Sequence, residues 1–246
     1  VYHFAAIVSV PLCQKAPIES YDTNLMGTVQ VMNAVREEQE RTSKPIKILF
    51  ASSAAVYGNQ GQVGRSLSSE SVQPSLLSYY AAQKLNSEDV LRQGHLHSRI
   101  PVVNFRFFNV YGQGQDPASP YSGVISIFSR MIKNGSGLTI FGKGDQTRDF
   151  VSVLDLVKGC QLALNLDEKK CDGKPLNLGT GQSVTVKELA ETMMEAGGKK
   201  VPIKFEDERS GDVRFSCADI EPARRLLGWE PKISLPAGIK SLMEMT

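Results

Sequence analysis

Short apolar runs alternate with stretches of helical spacing along this chain, and that alternation constrains the fold more tightly than any other feature. Val1 to Val8, Ile46 to Ala51, Val102 to Phe108 and Pro175 to Leu178 are brief and almost continuously apolar, the pattern of strands buried on both faces. Between them, Tyr21 to Glu40 carries Leu25, Val29, Met32 and Val35 at helical spacing, and Ser78 to Leu91 reads as a second helix. Further helices are predicted over Val124 to Lys133, Val153 to Leu166, Val184 to Ala196 and Ile220 to Leu227, with a short strand over Leu138 to Phe141. Such alternation implies βαβ units and an α/β fold with a doubly wound, mostly parallel sheet. A Gly/Pro/Ser-rich stretch from Gly112 to Gly123 reads as a loop. The segments after Tyr111 and Gly179 leave the alternation. Residues 1–111 and 151–179 are therefore assigned to the main unit, and 112–150 and 180–246 to a smaller lobe over the carboxyl edge of the sheet, where such folds bind ligands.

A chain of 246 residues can bury a substantial core, and 41% hydrophobic with 22% charged residues is ordinary for a globular protein. The net charge of +2 gives no reason to expect nucleic acid or an acidic membrane surface as partner. No apolar run reaches the length of a membrane span and no secretory signal opens the sequence, so a cytoplasmic protein is expected. Cys13, Cys160, Cys171 and Cys217 are widely spaced and form no metal or redox motif. His95-x-His97 lacks a nearby acidic or cysteine partner, and no metal site is expected.

The run Ser78-Tyr79-Tyr80-Ala81-Ala82-Gln83-Lys84 places Tyr80 and Lys84 one turn apart on one helix face. A nearby ammonium favours phenolate, so Lys84 is expected to lower the pKa of Tyr80 and make it usable as a base. A serine at the end of a preceding strand could hydrogen-bond the same substrate oxygen, and the run Ala51-Ser52-Ser53-Ala54-Ala55-Val56-Tyr57-Gly58 holds the candidate, with Ser52 reading rather as a satisfied strand-end hydroxyl.

With His3-Phe4-Ala5-Ala6, Asp22-Thr23-Asn24 before Gly27-Thr28, and Arg106-Phe107-Phe108-Asn109-Val110-Tyr111-Gly112, these segments form an ordered series. Gln115-Asp116-Pro117, Thr147-Arg148-Asp149-Phe150, Asn177-Leu178-Gly179-Thr180-Gly181 and Arg209-Ser210-Gly211-Asp212 continue it. The series resembles the extended short-chain dehydrogenase/reductase family, specifically its nucleotide-sugar 4-epimerases of the UDP-glucose type, over nearly the whole chain. That resemblance implies a Rossmann-like fold, NAD as cofactor, a nucleotide-sugar substrate, a homodimer, and inversion at C4 of a nucleotide-linked hexose. It makes Tyr80 the acid/base, Ser53 its partner at the sugar oxygen, and Lys84 the holder of the nicotinamide ribose. Phe4, Ala5, Ala6, Thr23 and Phe107 would line the cofactor. Asn109, Arg148 and Arg209 would grip the diphosphate, Asp212 a ribose hydroxyl, and Thr139 to Phe141 would border the base. A simpler reading of Arg148 is a local ion pair with Asp149. Ser216, four residues after Asp212, stands where relatives restricted to unsubstituted hexoses often carry a bulky aromatic, which suggests room for a 2-acetamido group.

No glycine-rich phosphate loop of the form Gly-x-x-Gly-x-x-Gly or Gly-x-Gly-x-x-Gly follows the first strand. Two or three βα units of the family, on the order of 60 to 90 residues, are expected to be missing from this sequence. On that reading NAD affinity falls and Val1 to Val8 forms an exposed apolar edge. A noncatalytic nucleotide-sugar binder is the alternative. A 4,6-dehydratase would need an Asp-Glu pair where Ala54 and Ala55 stand, while a sugar reductase of the same family stays open.

Overall fold

A computed structural model describes residues 1–59, 67–115, 119, 123–208 and 212–245. The chain runs through β1 (Tyr2–His3), α1 (Val10–Lys15), α2 (Pro17–Tyr21), a π-helical turn (Asp22–Met26), α3 (Gly27–Thr42) and β2 (Ile48–Ser53). A 3-10 turn (Ala54–Tyr57) leads to α4 (Tyr79–Ser98), β3 (Val102–Phe107), β4 (Asn109–Tyr111) and α5 (Val124–Lys133). Then come β5 (Leu138–Phe141), β6 (Thr147–Arg148), β7 (Phe150–Ser152), α6 (Val153–Leu164), β8 (Asp172–Leu178) and β9 (Val184–Thr185). The chain closes with α7 (Val186–Ala196), β10 (Ile203–Glu206), α8 (Glu221–Leu227) and α9 (Leu235–Met245).

The main sheet is parallel throughout, in the order β1-β2-β3-β8. Side-chain alternation sends β2 both ways. Ile48 and Phe50 pack with Val35 of α3 and Leu91 of α4 on one face, while Leu49 joins Val103, Phe105, Leu176 and Leu178 against Leu156 and Cys160 of α6 on the other. Burial on both faces is why these strands read as unbroken apolar runs.

Two expected elements are shorter than the sequence suggested. The first strand, expected over Val1 to Val8, is only Tyr2–His3. The reason is Asn24: its amide accepts the Ile7 N–H at 2.8 Å and donates to the Ile7 carbonyl at 3.0 Å, so a side chain takes the hydrogen bonds a strand partner would make. The helix expected from Tyr21 is interrupted at Asp22–Met26, where the Gly27 N–H reaches back to the Asp22 carbonyl and widens the turn around buried Asn24.

A second core lies among α5, β5, α7 and α9, built from Phe128, Ile132, Leu138, Ile140, Leu189, Met193 and Ile239. Residues 180–246 do not all belong to it. Ala218, Ile220, Ala223 and Trp229 pack beneath the main sheet with Phe105 and Leu178. Trp229 is 1% exposed, and its indole N–H donates to the Asp155 carbonyl at 2.8 Å. Trp229→Ala is therefore expected to cost about 3–5 kcal/mol. Equilibrium urea unfolding measures this, and a loss below about 1 kcal/mol would remove Trp229 from the core of the main sheet.

Candidate active site

Serines mark both the carboxyl end of β2 and the amino end of α4, and Lys84 ties the two together through the Ala51 carbonyl. The Ser53 hydroxyl accepts the Ala55 N–H at 3.2 Å, ending the strand and starting the 3-10 turn. Gly58 then adopts φ +56°, and a Cβ there would stand 1.9 Å from the Ser75 carbonyl oxygen, so only glycine lets the chain pass so close to that backbone. The Ser78 hydroxyl accepts the Ala81 N–H at 3.2 Å and begins α4. Tyr80 thus falls in the first turn of α4 and Lys84 one turn later, both buried. The Lys84 ammonium donates to the Ala51 carbonyl at 2.7 Å and lies 4.8 Å from the centre of the Phe50 ring and 5.8 Å from that of Tyr80.

Burial dominates the electrostatics of both groups. It pushes the Tyr80 phenol up to about 12; hydrogen bonding to the Ser53 side chain pulls partly the other way, and charge on Cys13 adds to the rise. Burial likewise drags the Lys84 ammonium down to about 8, opposed by Cys13 and then Glu88. This corrects the expectation that Lys84 lowers the pKa of Tyr80. The ammonium gives one of its three N–H donors to the Ala51 carbonyl, and removal of the phenol from water dominates its titration.

Around this cluster, Phe107 is the register partner of Ser53, and Phe4 packs edge-to-face on Phe107 with ring centres 5.9 Å apart. Phe4 is 41% exposed and Phe107 half-buried, so both turn aromatic surface outward at the carboxyl ends of β1 and β3, on either side of β2. Ala5 and Ala6 continue from β1, and Thr23 is exposed in the π-helical turn. An ammonium, a phenol and outward-facing aromatic rings at strand ends are a donor set that fits the nicotinamide-ribose end of NAD.

A second cluster lies beyond β3. Asn109 opens β4, and its N–H donates to the Asp149 carbonyl at 2.9 Å. Arg148 is largely buried and pairs with the Asp212 carboxylate, not with Asp149. Burial lowers the pKa of Arg148, with Asp212 opposing it. Asp149 is wholly buried and instead accepts four hydrogen bonds: from Thr180 N–H (2.8 Å), the Thr180 hydroxyl (2.6 Å), Gly181 N–H (3.0 Å) and Ala218 N–H (3.0 Å). The local Arg148–Asp149 ion pair read from adjacency is thus corrected: β-strand alternation sends neighbouring side chains to opposite sides. Asp149 holds the loop after β8 and the segment after Asp212 together, a role invisible in sequence because its partners lie about 30 and 70 residues away.

Phe141 and Asp212 line one crevice with Gln146 and Arg214. Thr139 sits on β5 opposite Lys204 of β10 and is half-buried. Arg209 lies outside the described residues. Ser216 lines a different cavity of about 190 Å³ with Thr147, Ser183 and Glu188, bordered by neither Ser53 nor Tyr80. Its small size therefore says nothing direct about the space around the Tyr80 phenol.

A profile of the family described as GDP-mannose 4,6 dehydratase matches residues 1–242. The UDP-glucose 4-epimerase of Mycolicibacterium smegmatis is 32% identical over 99% of this chain and 74% of its own length, and that of Mus musculus is 30% identical over 96% and 70%. The crystal structure of a UDP-glucose 4-epimerase from Thermotoga maritima, with UDP-glucose, superposes with a TM-score of 0.88 at 32% identity, covering 99% of this chain and 76% of that one. A UDP-glucuronic acid 4-epimerase from Bacillus cereus, in complex with UDP-glucuronic acid and NAD, gives 0.87 at 29% identity over 98% and 72%. With the profile spanning almost every residue and the fold shared from β1 to α9, this chain belongs to the extended short-chain dehydrogenase/reductase family, in the branch of the nucleotide-sugar 4-epimerases.

Proposed function

We propose that this chain carries the acid/base and substrate-binding machinery of an NAD-dependent 4-epimerase acting on a nucleotide-diphosphate hexose. The observation that carries the reading is the convergence of Ser53, Tyr80 and Lys84 at the carboxyl end of β2, beside the outward-facing rings of Phe4 and Phe107. Relatives named for this activity, and neighbours solved with UDP-sugars and NAD, support it.

Bound NAD would supply reversible hydride acceptance at C4, held at its nicotinamide ribose by Tyr80 and Lys84 and flanked by Phe4, Ala5, Ala6, Thr23 and Phe107. The proton work falls to the chain's own residues. Tyr80 takes the proton of the sugar 4-hydroxyl and returns it after the 4-keto sugar, trigonal at C4, has presented the other face of that carbon. Ser53 donates to the same oxygen and fixes it against the phenol. Since burial keeps the phenol protonated in the free protein, activation as a base belongs to the ligand-bound state. Arg148, with Asn109 and Arg209, holds the diphosphate through charge-assisted bonds. Asp212 takes a ribose hydroxyl, and Thr139 and Phe141 border the base. Ala54 and Ala55, in the 3-10 turn beside Ser53, offer no acid or base for eliminating water, which separates this chemistry from a 4,6-dehydratase.

Three outcomes test the reading. Tyr80→Phe should lower the rate of UDP-galactose to UDP-glucose conversion by about 10²–10⁴-fold while UDP binding, followed by calorimetry, stays within about twofold. A Tyr80→Phe protein turning over at the parent rate would end the acid/base assignment. Arg148→Met should weaken UDP roughly 10- to 100-fold, as expected for losing a hydrogen bond to a charged group; an unchanged affinity would place the diphosphate elsewhere. The pH dependence follows from Lys84: a cation with its pKa near 8 is present below that value and lost above it, so kcat/KM should fall as pH rises through about 8. A flat profile to pH 10 would count against the ammonium. Calorimetry that detects UDP but not NAD would favour the noncatalytic binder.

A further inference from the structure

Beneath the Tyr80–Lys84 pair lies a buried ionic cluster that the acid/base reading leaves unused. Glu88 stands one turn beyond Lys84 and two beyond Tyr80, so the three share a face of α4. It is 4% exposed. Its carboxylate accepts a fork of two hydrogen bonds from Arg106 on β3, 3.0 Å from Nε and 2.8 Å from Nη2. Its Oε1 also accepts the hydroxyl of Ser52, the residue before Ser53. Arg106 in turn lies 4.9 Å from the centre of the Tyr57 ring, whose hydroxyl donates to Asn177 at 2.7 Å. One carboxylate thus ties α4, the end of β2 and β3 together directly under the site.

Packing alone does not explain this arrangement, because a buried ion pair is seldom more stabilising than apolar side chains of the same volume. Its charge has a better use next door. Lys84 is faced by His3 from β1, Cys13 from α1, the Phe50 ring from β2, and Tyr80 and Glu88 from its own helix. Burial raises the Cys13 thiol and the Tyr80 phenol, and lowers His3 with Lys84 adding to the effect, so near pH 7 His3 and Tyr80 are neutral and Cys13 bears on Lys84 as a charge only once its thiol ionises at higher pH. Glu88, clamped by Arg106 and Ser52, is the carboxylate of that set, ion-paired within its own cluster.

We propose that Glu88 is a positioning residue: the fixed anion that keeps the Lys84 side chain charged and in place at the head of the site. The proposal rests on the acid/base reading above, but its test reads Lys84 without substrate, cofactor or turnover. In protein labelled with [ε-13C]lysine, the Lys84 signal is assigned by its loss in Lys84→Arg and followed against pH by NMR. Glu88→Gln, matched in shape, should lower the Lys84 midpoint by roughly one pH unit, a tenfold change in the protonated ratio. Glu88→Asp, which keeps the charge, should return the midpoint to within about 0.3 units of the parent. Because Glu88→Gln strands Arg106 without its counter-ion, Glu88→Gln/Arg106→Met is measured beside it and should shift the midpoint the same way, by at least about half a unit. A midpoint within about 0.2 units of the parent in whichever neutralised protein folds overturns the proposal, as does an equal drop in Glu88→Asp.

Discussion

An ammonium that is 3% exposed must find an acceptor inside the protein, and the Ala51 carbonyl, at the end of β2, is the one Lys84 reaches. Much of the site's geometry follows from that bond. It holds α4 against the strand end, sets Tyr80 in the first turn beside it, and keeps the charge over the Phe50 ring. Water is excluded from the same place, which is why burial, and not the mutual field of the two side chains, sets both titrations.

Buried polar groups are handled in the same way elsewhere in the chain. Asn24, in its widened turn, bonds Ile7 of the loop after β1 and also donates to Gln83 at 2.7 Å, the residue beside Lys84. Gln83 donates onward to the Ser20 hydroxyl at 2.8 Å. Asp149 gathers the loop after β8 and the segment carrying Asp212, while Asp155 accepts the Ile233 N–H at 2.9 Å and offers its carbonyl to Trp229. In each case one side chain satisfies backbone groups that no helix or strand serves, so the irregular segments beside the two side-chain clusters are fixed without regular structure.

Much of the architecture was legible before the coordinates. The four main strands and the helices α3 to α8 follow from runs such as Ile48 to Ala51 and from spacings such as Met32 to Val35, because burial on one or two faces forces those periods on the sequence. The two-residue strands β6 and β9 were not, since two residues carry no period. Helix α1, six residues long and just after the apolar run of Val1 to Val8, was not read either, and that run is cut short as a strand because Asn24 takes the Ile7 backbone bonds.

The site divides similarly. Sequence alone determined that Tyr80 and Lys84 share one face of a helix, because helical spacing is a local property, and the motif order placed Ser53, Arg148 and Asp212 in one family series. Only the tertiary structure decided that Arg148 pairs with Asp212, that Asp149 serves distant backbone, that Glu88 lies between Ser52 and Arg106, and that the Tyr80 phenol stays protonated. Each of these depends on which groups are removed from water together, and desolvation is a property of the packed molecule that no stretch of sequence carries.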